Sequence, residues 1–213
     1  PLKAMYPQGG EKVLIYHVTG EKVPEGKLPL DVGAVVLNCT TISSIARYCR
    51  TGLPLVKKCV TVDGSAVKNP MNVLVPIGMR MKDVFEACGG FKEEPEKIIS
   101  GGPMMGQALF TVDIPVSKTS SALTCFTKDQ VSALEPTACI RCGRCVSVCP
   151  SRIVPVMMMQ AALRNDCERF EKVNGMECME CGSCTYICPA RRPLTQAFKE
   201  MRKTVAANRR KKG

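Results

Sequence analysis

The sequence has no tryptophan, few other aromatic residues and a single histidine among its 213 residues. Aromatic residues make up 5% of the chain, so its cores must depend on aliphatic side chains and methionine. His17 has no serine, cysteine or acidic residue placed to form a nucleophile pair with it. We therefore interpret His17 as structural.

Long apolar runs are also missing. No segment approaches the roughly 18 consecutive apolar residues of a membrane span. The longest candidate, Ile153–Leu163, is interrupted by Pro155 and Gln160. We expect a chain that does not cross a membrane by itself. No signal peptide is visible at Pro1, and a first residue other than methionine is typical of a processing edge or a fragment.

Positive charge is in excess, with a formal net charge of +11 that is partly concentrated in the closing residues 209–212. Such a balance attracts nucleic acid, an anionic membrane face or an acidic protein. Aromatic residues are not interleaved with the basic ones as a nucleic-acid stacking platform requires, so we do not expect nucleic acid as a partner. The tail after Lys199 is then a solvated surface, a contact to an anionic membrane face or a contact to an acidic protein.

Cysteine is the informative residue type, because eight of the 14 cysteines fall into two tight runs. Both runs read C-x2-C-x2-C-x3-C followed by proline, and they comprise Cys139, Cys142, Cys145 and Cys149, and Cys178, Cys181, Cys184 and Cys188. Runs this tight suit metal ligation better than disulfides. A zinc site usually draws two spaced pairs instead of a triple followed by Cys-Pro. The pattern therefore predicts two four-iron, four-sulfur clusters.

The fourth cysteine of each run is expected to serve the other cluster. Three cysteines spaced by two residues wrap one cube, and the x3 spacing with the following proline carries the chain away from it. The predicted ligands are Cys139, Cys142, Cys145 and Cys188 for the first cluster, and Cys178, Cys181, Cys184 and Cys149 for the second. The other six cysteines are interpreted as buried apolar thiols, namely Cys39, Cys49, Cys59, Cys88, Cys125 and Cys167.

The two runs differ in their flanking charges. Arg141 and Arg144 accompany the first run, whereas Glu177 and Glu180 accompany the second. Reduction adds negative charge to a cluster, so nearby cations raise its reduction potential and carboxylates lower it. We expect the first cluster to have the higher potential.

The remaining sequence predicts an α+β chain of several modules. Residues 1–56 show strand-like runs at Val13–Val18 and Ala34–Leu37 and a helical pattern at Ile42–Cys49. Residues 57–99 form a β-rich module, with strands at Cys59–Val62 and Val73–Val75 and a helix at Met81–Cys88. Residues 100–130 are a connecting segment that is rich in glycine, serine and threonine and contains short strand segments. Residues 131–213 are a helical domain with helices at Val156–Val173 and Leu194–Val205.

The combination of motifs resembles the C subunit of the Rnf electron transport complex, an ion-pumping oxidoreductase that couples ferredoxin and NAD. Besides the cysteine runs, the segments that carry the resemblance are Tyr6–Lys12, Leu28–Gly33, Val60–Gly64, Ala66–Pro70 and Gly101–Gly106. Cysteine runs alone are shared by many ferredoxins, and their combination with these segments is much more specific. A cobalamin-reducing flavoprotein of the propanediol pathway shares the layout, and a soluble ferredoxin-like carrier is a further alternative.

The resemblance implies a fold, cofactors and a location. By this resemblance, residues 1–56 are the later part of a Rossmann-like domain for flavin and NADH. Residues 57–99 are a β-grasp module called SLBB, and residues 131–213 are a two-cluster ferredoxin-like domain. It implies FMN, bound mostly through residues upstream of this chain, and the matching positions here are Gly9, Gly10, Glu11, Lys12, Asn38, Thr40 and Thr41. It also implies peripheral attachment to the cytoplasmic face of the bacterial inner membrane, contact with an iron–sulfur subunit, and exchange of electrons with ferredoxin and NAD(H).

Overall fold

The computed structural model describes residues 2–128 and 135–212. They divide into two compact units, one of residues 2–36 together with 135–212 and one of residues 37–128. The first unit therefore joins the N-terminal segment to the cysteine-rich domain, although the two are far apart in sequence. The expected domain boundary at residues 130 and 131 lies outside the described residues.

The described elements alternate between helices and short strands. The helices are α1 (Glu11–Thr19), α2 (Cys39–Thr51), α3 (Met81–Ala87), α4 (Arg144–Ser147), α5 (Pro155–Leu163), α6 (Cys167–Lys172), α7 (Ser183–Tyr186) and α8 (Leu194–Lys212). The strands are β1 (Lys57–Asp63), β2 (Met71–Pro76), β3 (Lys97–Ser100), β4 (Gln107–Leu109) and β5 (Ala122–Phe126). An α+β fold of several modules is confirmed.

The second unit is built on one mixed sheet with the strand order β2-β1-β5-β3-β4. Strand β1 pairs antiparallel with β2 and parallel with β5, and β3 pairs antiparallel with both β4 and β5. Alternate residues such as Val60 and Val62 of β1 are fully buried. They pack in one core with Val84 and Phe85 of α3, so this helix covers one face of the sheet.

The sheet extends beyond the expected module boundary at residue 99. Strands β4 and β5 come from residues 100–130, which we expected to be a connecting segment. Strand β5 lies between β1 and β3, and its Leu123 and Cys125 are fully buried. Short strand segments were expected here, but their place in the sheet has no local signal, because the pairing partners of β5 are not its sequence neighbours.

The cysteine-rich domain of the first unit has its own helical core. Helix α8 presents a buried stripe of Leu194, Phe198, Met201 and Val205, spaced for one helix face. This stripe packs against α5 and α6, where the rings of Phe170 and Phe198 lie 6.3 Å apart between centroids. No helix among the described residues is both long and apolar enough to span a bilayer.

Three predictions of local structure were wrong. Val13–Val18 was expected to be a strand and lies in helix α1, which begins after Gly10 and ends at the left-handed Gly20. Only Ile15 of this helix is buried, and a short apolar run does not by itself distinguish a strand from a helix. Ala34–Leu37 has no regular structure. The helix expected at Val156–Val173 is two helices, α5 and α6, separated by a turn at the left-handed Asn165 (φ 51°).

The cysteines outside the two runs are not all buried. Cys88 and Cys125 are buried in the core of the second unit, as expected, but Cys39, Cys49 and Cys59 are exposed. Cys39 and Cys49 lie on α2, which has no buried residue, and Cys59 lies on the sheet face opposite α3. Burial raises the pKa of Cys125 to about 12.

We expect Cys125 to resist alkylation in the folded protein. A pKa near 12 lowers the thiolate fraction at neutral pH on the order of a thousandfold relative to an unperturbed thiol. Mass spectrometry after a short iodoacetamide pulse should find Cys59 modified and Cys125 intact, and both modified in guanidinium. Rapid native modification of Cys125 would contradict the buried position of β5.

Candidate metal centres

Both cysteine runs fold into the same loop. Arg141 and Glu180 occupy equivalent places in the two runs and are both left-handed, with φ of 56° and 57°. Gly143 and Gly182 follow, also with positive φ, and cap the short helices α4 and α7. Left-handed residues let the backbone turn tightly, so each loop wraps around a centre of its own. The sequence repeat is thus also a repeat of backbone conformation.

The chain leaves each loop in the same way. After the fourth cysteine and its proline comes a left-handed arginine, Arg152 in the first half and Arg191 in the second, with φ of 52° and 50°. Helices α5 and α8 begin at the equivalent points that follow. Helix α4 packs on α7 and α5 on α8, so the two halves face each other across an internal pseudo-symmetric interface.

Four cysteines line the first cavity, and they come from both runs. They are Cys139, Cys142, Cys145 and Cys188, the set expected for the first cluster. Cys139 and Cys142 are exposed, whereas Cys145 and Cys188 are half-buried. Burial raises the pKa of Cys145, and the negative charge of the other three thiolates would raise it further. The four thiols of this set are therefore close enough for their charges to interact.

The second cavity is lined by the complementary set and is less exposed. Its cysteines are Cys149, Cys178, Cys181 and Cys184. Cys181 and Cys184 are buried, and burial raises the pKa of Cys178 to about 11. Buried thiolates without a cation are unfavourable, so ligation to a metal is what would deprotonate these thiols.

Hydrogen-bond donors point at the sulfurs of the second set. The Glu180 N–H donates to Cys178 Sγ at 3.4 Å. Burial raises the pKa of Cys149, and the backbone N–H groups of residues 151–153 partly offset this rise. The Thr195 hydroxyl lies 3.8 Å from Cys184 Sγ. N–H and O–H donors to sulfur are a usual part of iron–sulfur sites.

The spacing of the thiols fits clusters better than single ions. Within residues 2–128 and 135–212, no three His, Cys, Asp or Glu side chains converge closely enough to share one metal ion. Zinc would draw its sulfur ligands to about 2.3 Å from one centre. A four-iron cube holds its four thiolates farther apart, around its corners. Two thiol quartets that each surround a cavity fit that donor arrangement.

The N-terminal segment packs directly on the second cysteine loop. The Tyr6 hydroxyl donates to the Cys181 carbonyl. Lys12 Nζ binds the Glu177 carboxylate at 2.6 Å, and the Gly26 N–H donates to the same carboxylate at 3.0 Å. Burial tends to raise the pKa of Glu177, but the hydrogen bond from Lys12 outweighs it together with the other partners, and the pKa is lowered.

Gly10 packs against the loop with no room for a side chain. A Cβ built on Gly10 would lie 2.3 Å from Met179 Cε, whereas one on Gly9 would meet nothing within 4 Å. Met179 also lines the second cavity. A side chain at position 10 would therefore displace Met179 from its place beside the second quartet.

The residues expected near FMN are divided between the two units. Gly9, Gly10, Glu11 and Lys12 belong to the first unit, and Asn38, Thr40 and Thr41 belong to the second. Lys12 is bound to Glu177, and the Asn38 side chain caps α2 by accepting hydrogen bonds from the Thr40 backbone and hydroxyl. None of these side chains has a buried polar atom left without a partner. They thus show no feature that requires a flavin.

Distant cations neutralise the carboxylates beside the second run. Glu177 is paired with Lys12, and Glu180 is paired with Arg202 of α8. The formal charges that we counted from the sequence therefore overstate the negative field at this quartet. That the first cluster has the higher reduction potential remains a prediction. The pairing of Glu177 and Glu180 weakens the part of that prediction that rested on their negative charge.

Sequence reasoning missed three residues at these sites. Tyr6 and Thr195 contact the second run, and Arg192 lines the first cavity. Aligning the two halves of the repeat would have drawn attention to Arg192, because the equivalent position in the first half is Ile153. Tyr6 gave no such signal, since its contact depends on the fold.

Models of three protein families match successive parts of the chain. The Nuo51 FMN-binding domain matches residues 1–47, the SLBB domain residues 59–108 and the 4Fe-4S dicluster domain residues 133–189. The order is that of the three expected modules. Fold and family matches together define a modular protein that combines part of an FMN-binding-type domain, an SLBB domain and a 4Fe-4S dicluster domain.

Individual relatives narrow this class. The chain is 47% identical over 99% of its length to the C subunit of the Na(+)-translocating ferredoxin:NAD(+) oxidoreductase complex of Acetobacterium woodii, covering 47% of that relative. It is 50% identical over 74% of its length to the proton-translocating counterpart of Clostridium ljungdahlii, covering 34% of it. It is 37% identical over 99% of its length to the C subunit of the ion-translocating oxidoreductase complex of Pseudomonas aeruginosa, covering 27% of it.

The chain thus spans less than half the length of these curated relatives. Over the part that it spans, the chain is similar to the C subunits of the Rnf-type ion-translocating oxidoreductase complexes. The resemblance seen in the sequence is confirmed.

Paired substitutions test the exchange of the fourth cysteine between the runs. Cys142→Ala with Cys188→Ala removes two residues that line one cavity, so one cluster should remain. Cys142→Ala with Cys149→Ala removes one residue from each cavity and should leave neither cluster intact. Iron and acid-labile sulfide analysis with EPR spectroscopy measures both.

The matched control is Cys142→Ala with Cys167→Ala, because Cys167 lines neither cavity and should cost nothing more than Cys142→Ala alone. If Cys142→Ala with Cys149→Ala retained one intact cluster and the Cys188 pair none, each run would bind its own cluster.

Proposed function

We propose that this chain is the electron-transfer part of the C subunit of an ion-translocating ferredoxin:NAD oxidoreductase. In this role it relays single electrons between a flavin and NAD(H) site and a partner iron–sulfur subunit. The observation that carries the proposal is the pair of thiol quartets, each assembled from both cysteine runs around its own cavity. The names of the relatives support the identity of the complex.

The ligands follow from the cavity linings. Cys139, Cys142, Cys145 and Cys188 would hold the first cluster, and Cys149, Cys178, Cys181 and Cys184 the second. When bound, each cluster supplies one-electron oxidation and reduction. Four thiolates per cluster leave no open coordination position for a substrate, so transfer is outer-sphere.

The surroundings of the quartets suit this role. Pro155 and Phe198 line the second cavity and are buried, so water is kept from that quartet. Ile140 and Leu163 line the first cavity and remain largely exposed. A carrier needs one cluster close to a partner, and the exposed quartet is the one that is accessible to a docking iron–sulfur protein.

The N-terminal segment gives the relay an orientation. Residues 1–47 match the FMN-binding domain family, and Tyr6, Gly10 and Lys12 lie against the second cysteine loop. These contacts support the second quartet as the one on the flavin side of the relay. Electrons would pass between the flavin side and the second quartet, and between the first quartet and the partner.

Metal analysis of the anaerobically prepared chain tests the proposal. We expect about eight irons with matching sulfide, and an EPR spectrum of two interacting clusters after reduction. Zinc in place of iron, with no signal on reduction, would overturn it. Flavin present after purification would show that the chain itself completes a flavin site.

The basic tail suits a peripheral contact with the cytoplasmic face of the inner membrane. Lys203 and Arg210 are exposed on one face of α8, two turns apart, and Lys211 is exposed beside them. Val205, in contrast, is buried, and Arg209 Nε donates to Glu171 at 2.8 Å. Removing the whole tail would therefore damage the core, so charge substitution is the better test.

Replacing Lys203, Arg210 and Lys211 by alanine should weaken binding to anionic vesicles. At about 1 kcal/mol for each basic residue near the surface, the loss is on the order of a hundredfold. Vesicle co-sedimentation measures it. The same charge removed from the second unit, with Lys82, Lys92 and Lys97 replaced by alanine, should have a smaller effect. Unchanged vesicle binding together with lost binding to an acidic ferredoxin would assign the tail to that partner.

A further inference from the structure

The two cavities are repeats of each other, which allows a comparison within one molecule. Each lining position of the second cavity has a counterpart in the first, and two of the exchanges alter the charge. Arg141 stands in place of Glu180 within the loop, but Arg141 is exposed and Glu180 is paired. The other exchange lies four places after the last cysteine of each run. This residue is Ile153 at the second cavity and the half-buried Arg192 at the first.

Arg192 carries a donor without an acceptor. Its Nε is buried, and no described residue accepts a hydrogen bond from it. The side chain lines the same cavity as Cys139, Cys142, Cys145 and Cys188. Apart from these four, the rest of the lining is apolar except for Arg141 and Gln160. Buried guanidinium donors are normally satisfied, so the missing acceptor should be electron-rich and belong in this cavity.

We propose that Arg192 sets the potential of the first cluster, by directing its Nε–H and its positive charge at the sulfur of this quartet. The proposal rests on the quartets holding clusters, as proposed above. Reduction adds one negative charge at the site, and a buried cation favours the state with that extra charge. Arg192 therefore raises the reduction potential of the first cluster.

The second quartet has no comparable unpaired cation among the described residues. Arg202 also has a buried Nε without an acceptor, and its positive charge offsets part of the rise that burial causes in the pKa of Cys178. Its guanidinium, however, is bound to Glu180, which reduces the effect of that charge. Lys12 is compensated by Glu177 in the same way. The sulfurs of this quartet receive neutral N–H and O–H donors instead. An electron would thus rest preferentially on the first, more exposed cluster.

Because the two halves are repeats, each supplies the residue for a reciprocal substitution in the other. Arg192→Ile gives the first cavity the residue of the second, and Ile153→Arg does the reverse. In EPR-monitored redox titrations of the full-length subunit, Arg192→Ile should shift the reduction equilibrium of the first cluster about tenfold toward the oxidised form. That shift is about 59 mV for one electron. Ile153→Arg should raise the potential of the second cluster.

Two controls make the shift interpretable. Arg210→Ile removes the same charge at an exposed position and should leave both potentials unchanged. Cys142→Ala with Cys188→Ala leaves only the second cluster, so adding Arg192→Ile to it should produce no shift. This background also assigns the signals of the two clusters.

The outcomes separate this inference from the proposed function. Clusters present in both variants with unchanged potentials would overturn the role of Arg192 and leave the electron relay intact. A wild-type subunit without clusters would overturn the relay itself. If Arg192→Ile fails to retain its first cluster, Arg192→Lys and Arg192→Gln decide. The proposal requires a higher first-cluster potential with lysine than with glutamine, and equal potentials would refute it.

Discussion

Each cysteine run of this domain ends on a residue that lines the other run's cavity, and much of the domain depends on that exchange. Cys149 and Cys188 leave their own loops beside a proline and reach across the internal pseudo-symmetric interface. The same thiols pack against the helical core of Met158, Phe170 and Phe198. Metal binding would thus fasten both halves at once, and losing one ligand would loosen a core that both halves share.

The N-terminal segment docks on the loop whose quartet is completed by Cys149 of the first half. Tyr6, Gly10 and Lys12 all contact this loop or the residue just before it. The contact between the N-terminal segment and the loop includes hydrogen bonds that use a backbone atom on one side, namely Tyr6 to the Cys181 carbonyl and the Gly26 N–H to Glu177. Its electrostatic effect is nonetheless definite, because it brings a lysine to a glutamate directly beside a cysteine of the second quartet.

How much of this was predictable depends on whether a feature is local. The cysteine spacing, the strands around Val60 and Val73 and the helix at Met81 all carry their signal in neighbouring residues, and the structure contains them. The position of β5 between β1 and β3 does not, since it is fixed by pairing across the sheet. The apolar run at Val13 was ambiguous for a different reason. A run of this length suits either a strand or a helix, and flanking Gly10 and Gly20 allow the helix to begin and end.

The electrostatics of the two cysteine sites were also not predictable from neighbouring residues in the sequence. Counting charges next to the cysteines singled out Arg141, Arg144, Glu177 and Glu180. The fold pairs both glutamates with cations from other segments. The charge that has no carboxylate partner among the described residues belongs to the half-buried Arg192, which follows its run by four residues and whose Nε is buried. An exposed or paired charge is screened, whereas a buried unpaired one acts at short range through protein, so burial outweighs proximity in sequence. Because the domain contains the same site twice, Ile153 shows that the loop does not require arginine at this position, and the difference between the two halves is free to serve the redox chemistry.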